Sequence, residues 1–428
     1  LTVTVFIVAL CAALAVGVPV SFALIICSVA LMLQLGLFNA QIIAQNLVTG
    51  ADNFQLLAIP FFLLAGELMN AGGLSRRIVH FAMSFVGHYH GGLGYVVIFA
   101  AIILASLSGS AAADTAALAA FLLPMMRSSG YDAGRSAGLI AAGGIIAPVI
   151  PPSVGFIVFG VAANVSITQL FLGGVVPGLL MALSLVVAWA FVVRGETNLK
   201  LLPKASWRER ARAGIDGIFA LMMPVIVLGV IRFGIVTPTE AAVTAAVYAM
   251  LVGLFVYREI TIPQLYPIFL AAAKMTAIVM FLVASATISA WLIAQADIPG
   301  QFSEFLGPFK DNQTLFLLVV MLLVFLIGTA LDFNPTVLIL TPILMPLVKE
   351  VGINPVYFGV LFIMVNAIGL ITPPVGIVLN VVCGVGNVSM KRVMVGIWPF
   401  LLAQCLVVVL LVLFPELVLE PLRWLRGR

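Results

Sequence analysis

Ser106-Leu-Ser108-Gly-Ser110-Ala-Ala-Ala-Asp114-Thr115 is a polar break in a chain built mostly of apolar runs. A second break, Gly328-Thr329-Ala-Leu-Asp332-Phe-Asn334-Pro335-Thr336, follows 218 positions later, counted from Asp114 to Asp332. The apolar arms beside them are Leu93 to Leu107 and Ala116 to Met126 in the first case, Leu315 to Ile327 and Val337 to Leu347 in the second. These fall short of the roughly 20 helical residues needed to cross a hydrocarbon core. The pattern predicts two re-entrant helical hairpins, each with its polar tip at membrane depth.

Outward from the breaks, the composition leaves lipid as the solvent. Of 428 residues, 63% are hydrophobic and only 8% charged, too little polar surface for a water-soluble fold of this size. Long apolar stretches recur, among them Thr2 to Val16, Val18 to Leu33, Leu170 to Val193, Ile215 to Ile231, Ala241 to Tyr257 and Gly396 to Phe414. About ten to twelve helical segments are expected, with no soluble domain between them. The first run lacks a basic leader and a small-residue cleavage signature and reads as a helix. Cys11, Cys27, Cys383 and Cys405 sit in apolar surroundings without metal-ligand spacing and read as small hydrophobes.

The two halves of the sequence match. Pro19 and Pro238 are 219 positions apart, Pro151-Pro152 and Pro373-Pro374 are 222 apart, and so are Pro177 and Pro399. A near-constant offset predicts two repeats, residues 1–193 and 214–428, joined by a basic connector at 194–213. Each repeat is expected to hold three crossings, a hairpin, a broken crossing and a final helix. An odd number of crossings turns the second copy over, giving an all-α polytopic fold with an inverted repeat. The connector carries Arg194, Lys200, Lys204, Arg208, Arg210 and Arg212 against Glu196 and Glu209, which places it in the cytoplasm. A short amphipathic helix around Trp207 is expected to lie on the membrane surface there. Arg127, Arg135, Arg258, Lys391 and Arg392 fall on the same side by this count, while Arg423, Arg426 and Arg428 fall on the opposite one.

The breaks hold hydroxyls, glycines and a carboxylate in apolar surroundings, which is what a dehydrated sodium ion requires from hard oxygen ligands and freed backbone carbonyls. Each hairpin has the material for one ion site. The segments from Gly143-Gly144 to Pro151-Pro152-Ser153, and from Asn366 through Gly369, Thr372 and Pro373-Pro374, are the second contributors, because paired prolines interrupt a helix and leave carbonyls unpaired. Small residues also allow close helix packing, and an Asp can simply cap a hairpin arm. Two copies at matched offsets favour the ion reading. Glu67, Glu240 and Lys274 are expected to pair within the bundle or snorkel, and Asn164 and Asn387 to end the short helices after the breaks. His88 and His90 lack a third ligand and read as loop residues.

Several stretches together resemble the large membrane subunit of the tripartite ATP-independent periplasmic (TRAP) transporters, within the ion-transporter superfamily. They are Ile59-Pro-Phe-Phe-Leu-Leu-Ala-Gly-Glu67, Ser108-Gly-Ser-Ala-Ala-Ala-Asp114-Thr115, Ala147-Pro-Val-Ile-Pro-Pro-Ser153, Thr237-Pro-Thr-Glu-Ala241 and Gly369-Leu-Ile-Thr-Pro-Pro-Val-Gly376. The resemblance implies a bacterial inner-membrane protein that imports an organic acid on a sodium gradient, by an elevator movement of the hairpin-bearing part against a static scaffold. It implies two partners, a small four-helix membrane subunit and a periplasmic substrate-binding protein. One sodium site would use Ser106, Ser108, Ser110 and Asp114 with Gly144 and Pro148; the other would use Gly328, Thr329, Asp332 and Asn334 with Gly369 and Thr372. The substrate would meet Ser108, Ser110, Ser153, Asn334, Thr336 and Thr372, at hydroxyls and helix ends suited to a carboxylate. C4-dicarboxylates, 2-oxo acids and sialic acids are all compatible, with a lean toward sialic acid.

Other readings remain in view: a self-sufficient carboxylate carrier of the same superfamily, or a structural or channel subunit. The sequence has no GxxxxGK phosphate loop, no HExxH and no dinucleotide fingerprint, so neither ATP hydrolysis nor enzymatic chemistry is expected. No cofactor besides sodium is expected, and no nucleic-acid partner.

Overall fold

The computed structural model describes residues 2–196, 199–373 and 375–425, and its regular elements there are all helical. Pro374, Arg426 and Arg428, which entered the sequence argument, lie outside the described residues. The first half runs α1 (Thr2–Ala15), α2 (Val20–Gln34), α3 (Ala40–Ala51), α4 (Ala58–Ala71), α5 (Leu74–Val86), α6 (Gly92–Ser108), α7 (Ala111–Ser128), α8 (Ala133–Gly144), α9 (Val154–Ala163) and α10 (Ile167–Val193). The second runs α11 (Trp207–Arg232), α12 (Pro238–Leu251), α13 (Ile262–Gln295), α14 (Ile298–Phe305), α15 (Gln313–Gly328), α16 (Phe333–Glu350), α17 (Pro355–Gly369), α18 (Ile377–Gly386), α19 (Met390–Leu413) and α20 (Glu416–Leu425). Among the described residues, six helical segments are long and apolar enough to cross a membrane.

The order of hairpin, interrupted helix and long helix occurs twice, as α6–α7, α8–α9, α10 and again as α15–α16, α17–α18, α19. Asn164 and Asn387 close α9 and α18 in the left-handed conformation (φ 54° and 49°), as their positions predict. Capping residues start many of the helices. Thr237 and Glu240 form a capping box at α12, in which the Glu240 carboxylate accepts from Thr237 N at 2.7 Å. Glu240 therefore serves a helix end rather than an ion pair inside the bundle. Glu67 is half-buried and Lys274 exposed, and neither joins an ion pair among the described residues.

Four features depart from the sequence expectation. The hairpin arms are longer, because Ser110 and Asp332 cap α7 and α16 and the residues that follow are already helical. Asp114 thus sits in the first turn of a helix and not in an irregular tip. The amphipathic piece at Trp207 is not a separate surface helix: Ser206 and Glu209 form a capping box and α11 continues unbroken to Arg232, across the expected boundary at 213/214. Two short helices, α5 and α14, precede the hairpins where none was expected. Finally, the third crossing of the first half is split between α3 and α4, where Asn53 accepts from Gln55 N at 2.9 Å and starts a new turn, whereas α13 runs 34 residues without interruption.

Packing divides the helices into two groups. One contains α1–α5 with α11–α14; the other contains α6–α10 with α15–α20. They meet where α4, α5, α13 and α14 lie against α6, α9 and α16. Three arginines gather at the connector's end: Arg127 donates to Asn387 O at 3.1 Å, Arg135 lies 3.4 Å from Glu196, and Arg210 donates to Ser84 O at 3.1 Å. The other end of α11 carries Arg232, whose guanidinium lies 5.0 Å from the Trp424 ring, so α20 and Arg423 are at the face opposite the connector.

A charged link joins the loop after α14 to the outer end of α16: Lys310 Nζ lies 2.6 Å from Glu350 Oε1, and Lys310 also donates to the Ser303 hydroxyl. The hydrogen bond from Lys310 holds the Glu350 carboxyl below the usual carboxylate range. A depressed acid stabilises the fold above its unfolded value and loses that contribution as pH falls through its folded value. The purified protein is therefore expected to lose a small part of its thermal stability on acidification through the lower carboxylate range, and Lys310→Gln to flatten that dependence. Unchanged pH profiles for the two proteins would remove the link as a stabilising contact.

Candidate functional site

Gly109 ends α6 at φ 61°, a conformation that turns the chain at once into α7. A Cβ at Gly109 would stand 2.9 Å from Pro152 O and 3.1 Å from Val154 N, so the tip of the first hairpin rests on the break between α8 and α9. Ser110 accepts from Ala113 N at 3.4 Å and caps α7. Ser108 Oγ accepts from Ser110 N at 3.1 Å and donates to Asp114 Oδ1. Asp114 is buried, and its Oδ2 has no hydrogen-bond partner; the adjoining Thr115 Oγ1 is also buried and unpartnered. Thr115 abuts Gly144, whose Cβ position is 3.0 Å from Ala111 O, so the end of α8 meets the first turn of α7 at these oxygens.

Pro148 and Ser153 hold the break itself in shape. Ser153 Oγ donates to Pro148 O at 2.5 Å and accepts from Phe156 N at 3.3 Å, and the residue is fully buried. Ser106 is also buried, with its hydroxyl bonded to Ile103 O at 2.6 Å.

The second hairpin repeats the plan with different chemistry. Gly328 and Gly369 touch through their backbones: a Cβ on Gly369 would lie 2.6 Å from Gly328 C and 2.7 Å from its oxygen. Asn366 donates to Phe333 O at 2.8 Å, while its Oδ1 is buried without a partner and lies 3.0 Å from the Cβ position of Gly328. Asn334 Oδ1 is likewise unpartnered. Asp332, the counterpart of Asp114, is exposed and accepts from Phe333 N at 2.7 Å. Thr329, Thr336 and Thr372 donate to Leu326 O, Asp332 O and Ile368 O at 2.8, 2.9 and 2.9 Å.

Between the tips lies a cavity of ≈ 180 Å³, lined by Gly109, Ser110 and Pro148 on one side and Asp332, Phe333, Asn334, Leu370 and Ile377 on the other. Leu63 of α4 with Met275 and Val279 of α13 form its remaining wall, so the space lies where the two helix groups meet. Of the six side chains expected to meet substrate, Ser110 and Asn334 line it; Ser108, Ser153, Thr336 and Thr372 do not, their hydroxyls being engaged in the hydrogen bonds above. The sequence marks Asn366 only as the start of the second contributing segment; the structure singles out its buried side-chain oxygen, a lone amide in the apolar run of α17 one turn before Gly369.

His90 Nε2 lies 3.2 Å from Val193 O in a loop, and no group of three His, Cys, Asp or Glu suited to a metal ion occurs among the described residues.

The fold is that of an all-helical membrane protein with several candidate spans. The structure is similar to that of the YdaH transporter of Alcanivorax borkumensis, with a TM-score of 0.63 over 86% of each chain at 14% identity, a likeness of fold alone. Residues 7–417 match the family described as "Tripartite ATP-independent periplasmic transporter, DctM component". The chain is 54% identical over 100% of both lengths to a putative TRAP transporter large permease protein of Haemophilus influenzae. It is 51% identical to the 2,3-diketo-L-gulonate TRAP transporter large permease protein YiaN of Escherichia coli, over 99% of this chain and 100% of that one. The chain belongs to the DctM family of TRAP transporter large permeases. It is a multi-pass membrane transport protein and not an enzyme.

Proposed function

We propose that this permease carries an organic acid across the bacterial inner membrane in symport with sodium, at the cavity between the two hairpin tips. One observation carries the reading: buried oxygens without partners stand beside each tip, Asp114 Oδ2 and Thr115 Oγ1 at the first, Asn334 Oδ1 and Asn366 Oδ1 at the second, and the cavity lies between the tips. Leaving such an atom unpaired costs roughly 1–3 kcal/mol, more when it is charged, and hard oxygens are what sodium prefers. The residues present therefore fit two sodium ions, the first with Asp114, Ser108 and Thr115 against the Gly144 to Pro148 break, the second with Asn334 and Asn366 against Gly328 and Gly369. Bound sodium would relieve those oxygens and offset the charge of an incoming carboxylate.

For the carboxylate itself, Ser110 and the first turns of α7 and α16 offer donors at the cavity edge. The kinship with a 2,3-diketo-L-gulonate permease supports a polyhydroxylated sugar acid, a class that also contains sialic acid, ahead of a C4-dicarboxylate. The tripartite character of the family supports a small four-helix membrane subunit and a periplasmic substrate-binding protein as partners. An inverted repeat moving as an elevator, with α6–α10 and α15–α20 sliding against the remainder, accounts for the two packing groups and for a cavity at their boundary.

The test is uptake into proteoliposomes holding the permease with both partners, with a sodium gradient imposed in either direction. Accumulation of a sugar acid should follow the inward gradient; uptake indifferent to sodium would sink the proposal. Asp332→Asn supplies a finer expectation. Asn caps a helix as well as Asp, so thermal stability should change by no more than about 0.5 kcal/mol. Loss of the exposed charge should weaken uptake less than loss of the buried one at Asp114, as transport rates of the two variants would show.

A further inference from the structure

We propose that the open cleft between α8 and α19 holds the headgroup of an anionic phospholipid. The cleft has a volume of ≈ 930 Å³ and is lined by Asp132, Arg135, Ser389, Lys391, Arg392 and Val395. Three cations thus face one carboxylate, whose Oδ1 accepts from Arg135 N at 2.8 Å as the cap of α8. Arg135 is shared with Glu196 at 3.4 Å, whereas Lys391 and Arg392 join no ion pair among the described residues. Ser389 begins α19 without using its side chain as a cap, which leaves its hydroxyl available. This set of donors suits a phosphodiester.

What selects a lipid over a soluble anion is the surface below the cleft. Val395, Trp398, Leu402, Leu406 and Leu413 are all exposed on α19, from 52% to 71%, and recur every three or four residues or a multiple of that. They form one apolar stripe that starts at the cleft wall and runs along the helix. A phosphate held by Lys391 and Arg392 therefore places acyl chains along that stripe. The basic end of the molecule is also the one assigned to the cytoplasmic side, where anionic lipids attract basic residues. Since α8 leads into the Gly144 to Pro148 break, the lipid would grip the helix group that carries both hairpins.

The experiment is native mass spectrometry of the purified chain, titrated separately with phosphatidylglycerol and phosphatidylcholine. Phosphatidylglycerol should bind tighter, and the double variant Lys391→Gln, Arg392→Gln should lose about thirtyfold in that affinity while its affinity for phosphatidylcholine stays unchanged. Lys204→Gln with Arg208→Gln, on the connector, should leave both affinities in place. Equal binding of the two lipids by the unaltered chain would overturn the proposal, as would unchanged phosphatidylglycerol affinity in the double variant. Displacement of phosphatidylglycerol by inorganic phosphate alone would assign the cleft to a free anion instead.

Discussion

Replacing Asp114 by Asn is expected to raise the sodium concentration for half-maximal uptake by about thirtyfold, as loss of one charged contact worth roughly 2 kcal/mol would. The effect should be on the ion and not on the fold. Asn keeps an oxygen to accept from the Ser108 hydroxyl, so the link across the tip survives. Asp114→Ala removes that acceptor too and should lower thermal stability as well. Flux assays over a range of sodium concentrations, paired with melting curves, separate the two effects. Sodium dependence unaltered in Asp114→Asn would show that the unpartnered oxygen is not an ion ligand.

The other large effect is expected at Gly369. Its Cβ position is 2.6 Å from the carbonyl carbon of Gly328, and no side-chain rotation can relieve a clash with backbone. Gly369→Ala must push the end of α15 away from α17, an overpacking cost of about 1–3 kcal/mol. Gly328 and Asn366 would then separate, and uptake should be lost along with stability. Gly384 in α18 is the internal control, because nothing lies within 4 Å of its Cβ position. Alanine there should be neutral or add up to about 1 kcal/mol through helix propensity. A melting temperature unchanged in Gly369→Ala would contradict the close packing of tip on break.

The offsets between Asp114 and Asp332 and between the proline pairs carried most of the architecture, because polar residues and helix breaks inside apolar runs are few and costly, so their positions are informative. The same signal treated both aspartates alike. Only the structure separates them, one buried with a free oxygen and one exposed at a helix cap, since burial depends on which neighbours arrive from distant sequence. Ser153, Thr336 and Thr372 show a related limit: a hydroxyl in a break looks available until its carbonyl partner one turn away is seen. The helices α5 and α14 were missed because they are short, and α5 mixes charged with apolar residues, which hides it from a search for apolar runs. The split between α3 and α4 falls where Asp52 leaves helical geometry and Asn53 caps a new turn, a local feature inside a run that the sequence reads as continuous.

The segments that join the two helix groups limit how far one can travel past the other. Between Val86, the last residue of α5, and Gly92, the first of α6, lie only five residues, and between Phe305 and Gln313 only seven. Six virtual bonds reach at most ~20 Å when fully drawn out. The shorter strap therefore keeps the start of α6 within that reach of Val86 throughout any carrier movement, unless α5 itself swings with its cargo.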